Sequence, residues 1–136
     1  MKTIIQIILL LSLSIYANAQ LNSSASYIKE KYPTEYENIF KKHAVEEWST
    51  NYEMVAFMIN NQADALVSLI KTFESDNTQI VFEAIIEWSF EGYENSNIKL
   101  FKEFDTFSLE NLVKLHCNWE MVTYAYENQV KAKNSL

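Results

Sequence analysis

One glycine, one proline, one cysteine and no arginine stand among 136 residues, and each scarcity excludes something. A single Gly and a single Pro leave little turn chemistry for a many-stranded sheet, whose hairpins lean on residues that tolerate unusual backbone angles. Helix is therefore the default. The same lack of glycine excludes a dinucleotide-binding fingerprint, a phosphate-cradling loop and an EF-hand. With Cys117 alone, no intramolecular disulfide can form, so stability must come from packing; the thiol reads as a small apolar residue or as a link to a second chain. The absence of arginine removes the planar fork that grips phosphate or guanine, and with acidic residues in excess, nucleic acid is not an expected partner. No apolar run reaches the roughly 20 residues that span a bilayer, so integral membrane insertion is not expected either.

What is present begins with an export pattern. Residues 1–19 place Lys2 before an apolar run from Ile4 to Ile15 and close on Ala17-Asn18-Ala19, which predicts a secretory signal peptide that is removed. No cysteine stands directly after that run, so a lipoprotein is not indicated. The expected destination is periplasmic or extracellular. The remaining 117 residues suit one domain, and the loss of Lys2 leaves ten lysines against 18 acidic residues, a side-chain charge of −8. Asn22-Ser23-Ser24 would accept a glycan only in a eukaryotic secretory pathway.

The chain then divides into a polar N-terminal segment, 20–33, a helical domain, 34–132, and a polar tail, 133–136. Thr34-Glu35-Tyr36-Glu37 and Thr50-Asn51-Tyr52-Glu53 both fit a capping box, in which a hydroxyl and a glutamate satisfy the first free N–H groups of a helix. Apolar residues recur at three- and four-residue steps from Phe40 through Ala44 and Trp48 to Tyr52, Val55, Ile59, Ala63, Leu66, Ile70 and Phe73. Such spacing predicts helices over 35–48 and 51–74, or one bent rod. A third helix is predicted from Ile80 to Phe90 and stopped by Gly92, although the β-branched stretch QIVFEAII would also suit a strand. A short helix fits 98–104. Ser108 is the expected cap of a last helix carrying Leu112, Leu115, Trp119, Val122, Tyr126 and Val130. The fold class is all-α: a single small domain of about four main amphipathic helices, as an antiparallel bundle or an orthogonal array.

Two stretches nearly repeat, NYEMVAFMINNQ from Asn51 and NWEMVTYAYENQ from Asn118. At 100° per residue, Tyr52, Val55, Ala56, Ile59, Ala63 and Leu66 share one face, and so do Trp119, Val122, Tyr126 and Val130, so the repeat reads as a core-facing helix built twice. The opposite side is also apolar. It presents Met54, Phe57 and Met58 on one helix and Met121, Tyr124 and Ala125 on the other, a combination of thioethers and rings that is either covered within the fold or shown to a partner.

Candidate chemistry is sparse. His43 precedes Glu47, and His116 precedes Glu120, by the four residues that stack side chains on a helix, with Cys117 adjacent. His116, Glu120 and Cys117 are accordingly the metal-ligand candidates, against the plainer reading of two surface pairs. Glu83, Glu87 and Glu91 read as a solvated helix face. Trp48 and Trp88, each within Glu-Trp-Ser, read as buried indoles. No nucleophile, base and orienting group assemble, so neither an enzyme nor a cofactor is expected. The expectation is a secreted or periplasmic acidic helical protein of inhibitor, immunity or adaptor type. It would bind a basic protein partner, or itself, through Met54, Phe57, Met58, Met121 and Tyr124. The alternative is a bundle that holds a metal or a small apolar ligand between its helices.

Overall fold

Residues 20–136 are described by the computed structural model, and the predicted export segment, 1–19, lies outside them. Among the described residues the chain is helical without strands, apart from one isolated antiparallel bridge between Ser89 and Cys117. The helices are α1 (Ser23–Lys31), α2 (Pro33–Glu35), α3 (Lys42–Trp48), α4 (Tyr52–Thr72), α5 (Thr78–Glu87), α6 (Glu94–Glu103), α7 (Leu109–Leu112) and α8 (Trp119–Asn134). A π-helical segment, Tyr36–Lys41, joins α2 to α3 and turns Tyr36, Ile39 and Phe40 into the interior. None of these helices is long and apolar enough to cross a membrane. QIVFEAII is helical within α5.

Several boundaries differ from expectation, each for a local reason. The polar segment 20–33 contains α1, because the Asn22 side chain caps it by accepting from the Ala25 N–H, and Ala25 and Ile28 are completely buried. At Thr34 no capping box forms: Pro33 takes the first helical position, where its missing N–H costs nothing. At the second expected box the cap is Asn51 rather than Thr50. Helix α5 ends at Glu87, and Gly92, with φ of 88°, turns the chain just before α6. Ser108 caps only the single turn of α7. The expected last helix is thus interrupted, and α8 starts afresh at Asn118 and runs to Asn134, into the tail.

Both copies of the repeated word open in the same way. Asn51 and Asn118 share φ of −79°, with ψ of 80° and 95°, and each side chain accepts from the N–H three residues on, Met54 and Met121 respectively. The repeat is therefore a capped helix start used twice. Its second residues part company: Trp119 is 1% exposed, whereas Tyr52, expected on the same core face, is 65% exposed.

The core is the meeting of α4, α5 and α8, closed by α1, the π-helical segment and α7. Leu66, Leu69, Ile85, Leu112, Leu115, Trp119 and Val122 are fully buried, each contributing on the order of 1.5–3 kcal/mol through removal from water. Contacts advance together along α4 and α8. Gln62 meets Asn118 and Trp119, the Ala65 carbonyl accepts from the Thr123 hydroxyl, and the Glu74 N–H donates to Tyr126 Oη. These two helices run in the same sense, so the array is not an up-and-down bundle. Of the indoles expected inside, Trp88 is half-buried and Trp48 is exposed.

Candidate functional site

A sharp reversal of the chain between α3 and α4 builds one side of an open surface groove. Ser49, at φ 52° and ψ −116°, sits between Trp48 and an Asn51 N–H that donates back to the Trp48 carbonyl at 3.0 Å. That is the geometry of a type II′ turn, which ordinarily takes glycine at this position. The turn leaves Trp48 beside the first turns of α4. Helical spacing then aligns Met54, Phe57, Met58, Asn61 and Gln62 along one side.

Facing them are Phe90, Asn118 and Glu120, placed by the bridge and the start of α8. Together with Glu47 and Trp48 these residues line an open groove of about 260 Å³. Phe57 is 58% exposed and Trp48 38% exposed, and Met58 closes the floor against the core. The only charged lining groups, Glu47 and Glu120, are both acidic. The groove therefore offers apolar anchors under a negative rim. Met121 and Tyr124, expected on the same surface, do not line it: Met121 is half-buried on α8, and Tyr124 stands 61% exposed.

Behind the groove the two histidines meet across 73 residues of sequence. His43 Nε2 and His116 Nδ1 share a hydrogen bond of 2.8 Å. Phe90 stacks on the His43 ring at 4.0 Å, and Tyr93 stacks on the His116 ring at 3.7 Å. Lys42 Nζ donates to the Tyr93 hydroxyl at 2.7 Å. Burial depresses both imidazoles below the ordinary histidine range, His116 to about 4, where the neighbouring His43 and Lys42 add to the effect. His43 Nδ1 lies 3.5 Å from Glu46 Oε2, so its carboxylate neighbour is Glu46 and not the expected Glu47.

His116 is held by its backbone. Asn97, fully buried, accepts from the His116 N–H and donates to the His116 carbonyl, which also accepts from the Phe90 N–H. This arrangement separates the metal candidates. Cys117 turns inward, and burial pushes its thiol up to about 12, while Glu120 belongs to the groove. His116 is not on a helix, so the i,i+4 relation to Glu120 carries no stacking. Among the described residues no three His, Cys, Asp or Glu side chains converge as metal ligands.

A second cleft of about 260 Å³ lies at the far end of α4, lined by Phe73, Phe101, Phe104 and Phe107 with Ser75, Thr78, Asp105 and Thr106. Phe73 and Phe107 stack there at 3.7 Å.

Sequence reasoning missed Trp48, Phe90, Asn118 and the histidine pair. For Trp48 a sign was present in the Ser49-Thr50-Asn51 break that follows it. For the histidines there was none, since their meeting depends on the bridge. Comparison of the chain with protein families, with characterised proteins and with solved structures returns no match.

Proposed function

We propose that this protein binds another protein, docking an apolar side chain of the partner into the groove between Trp48 and Phe57, with Lys or Arg residues of the partner meeting Glu47 and Glu120. The observation that carries this reading is the exposure of Phe57 between two methionines and an indole. A 117-residue domain has every thermodynamic reason to cover such a cluster unless a partner does so, and exposed aromatic residues around a pocket are the usual anchors of recognition. The acidic rim and the net charge supply the complement: opposite charge speeds encounter and selects among partners. Export by residues 1–19 would place this encounter in the periplasm or outside the cell, and an inhibitor, immunity or adaptor role suits a domain with no assembled catalytic group.

The test is a selection from a random peptide library followed by titration of the selected peptides. Peptides pairing a large apolar residue with flanking Lys or Arg should emerge, and Phe57→Ser should weaken them at least about tenfold, the scale of one anchoring residue. The variant should keep its helical circular dichroism, since Phe57 is largely outside the core. Selected peptides without basic residues, or equal affinity for the variant, would contradict the reading.

A second reading, a small apolar ligand, is favoured by the four phenylalanines of the other cleft. It predicts that a hydrophobic amine raises the melting temperature of the protein and that Phe104→Ser removes the rise.

A further inference from the structure

We propose that His43 and His116 form an acid-sensitive clamp on the docking groove, which releases the Trp48 wall once both imidazoles are protonated. The consequence for binding rests on the docking reading above, but the clamp itself is measured without any partner. Between nitrogens 2.8 Å apart there is room for one hydrogen only. In the neutral pair one ring donates and the other accepts. His43 Nδ1 faces Glu46, so the first added proton is accommodated there, and His43 Nε2–H goes on donating to His116 Nδ1. The second proton has to enter at His116 Nδ1. Two N–H donors then point at each other, on positively charged rings whose centroids are 5.1 Å apart.

What this breaks is positional. His43 lies on α3, whose last residue is Trp48, and His116 belongs to the bridged segment whose carbonyl holds Phe90. The imidazole pair thus ties one wall of the groove to the other, and Phe90 belongs to both features, stacked on His43 and lining the groove. The surrounding charge does not relieve the second proton. From α3 itself come Glu46, which favours the proton on His43, and Lys42, which opposes protonation of both rings; from the loop before α6 comes Tyr93, bonded to Lys42; beside His116 lies the Cys117 thiol, neutral because it is buried.

The sign follows from the direction of both shifts. Histidines held below their unfolded value near 6.5 contribute stability that is complete above that pH, and the contribution is lost as pH falls through their lowered values, about 4 for His116. The clamp therefore holds at neutral pH and fails in acid.

Amide hydrogen exchange across residues 42–48, corrected for intrinsic rates, compares pH 7 with pH 4 in the wild type and in His43→Gln. The glutamine amide can face His116 with either its NH₂ or its oxygen and so satisfies both protonation states. The wild type should lose at least about tenfold in protection on acidification, and His43→Gln no more than about twofold. Should His43→Gln fold poorly, His116→Asn, whose oxygen accepts from His43 without titrating, should show the same flat response. Unchanged wild-type protection at pH 4, or an equal loss in the wild type and both variants, would overturn the clamp. Neither result bears on whether peptides bind the groove at pH 7.

Discussion

Single residues at two turns show where the fold holds backbone against preference. Ser49 occupies a type II′ position with φ of 52°, a region that a side chain reaches at a cost of roughly 1–3 kcal/mol. Ser49→Gly removes the Cβ from that position but frees the unfolded chain, so a net gain of about 1 kcal/mol is expected. Urea denaturation monitored by circular dichroism checks it, and a loss of stability would show that the Ser49 side chain contributes a contact of its own. Gly92, at φ of 88°, is the position where the only glycine in the sequence is in fact needed, with open space around it, so an added side chain would suffer from backbone conformation alone. The sequence made Gly92 visible as a punctuation mark, but not which punctuation. Its role as a turn before α6, and not as a helix stop, depends on where α5 had already ended.

At the scale of elements, the repeated word separates what periodicity reveals from what it hides. Asn51 and Asn118 are equivalent caps, yet only Asn118 also accepts from the Gln62 amide, at 2.9 Å, tying α4 to α8. Asn51→Ala should therefore cost about 1 kcal/mol, the value of an N-cap, and Asn118→Ala about 2 kcal/mol, adding a lost interhelical bond. Thermal or chemical denaturation of the two variants side by side would decide this, and equal losses would mean that the Gln62 contact contributes nothing. The helix over Tyr52–Thr72 and the apolar side with Met54, Phe57 and Met58 were legible because period alone dictates them. The break at residues 113–118 was not legible. Leu112, Leu115 and Trp119 keep a helical rhythm across it, and all three are buried, so the pattern of apolar residues is the same whether or not the backbone is helical between them. The π-helical segment was hidden for a similar reason, because one extra residue in a turn shifts Phe40, His43 and Ala44 without removing them from the interior.

Considered whole, the described residues form an all-helical domain that leaves an apolar groove open beside Trp48 and Phe57, and a phenylalanine-lined cleft at the far end of α4. The composition made the first half legible: almost no glycine or proline, no arginine, and an acidic excess. The groove was legible only by one wall. Its other wall, Phe90, Asn118 and Glu120, comes from segments that neither spacing nor caps could bring to α4, and they arrive there through the Ser89–Cys117 bridge, the single piece of β-pairing among the described residues. The same bridge sets His116 against His43. Because Phe90 both stacks on His43 and lines the groove, the proposed acid response and the proposed docking surface share that residue.

The most direct test of this account uses the three indole N–H resonances as reporters, since Trp48 lines the groove, Trp88 is half-buried outside it and Trp119 is sealed in the core. A selected basic peptide is titrated into ¹⁵N-labelled protein at pH 7 and the indole signals are followed. The Trp48 indole, with the amides of Phe57 and Phe90, should shift in step with saturation while the Trp119 indole stays in place. A saturating peptide that leaves Trp48 and Phe57 unmoved, or that shifts the Phe101 to Phe107 cleft instead, would contradict the account.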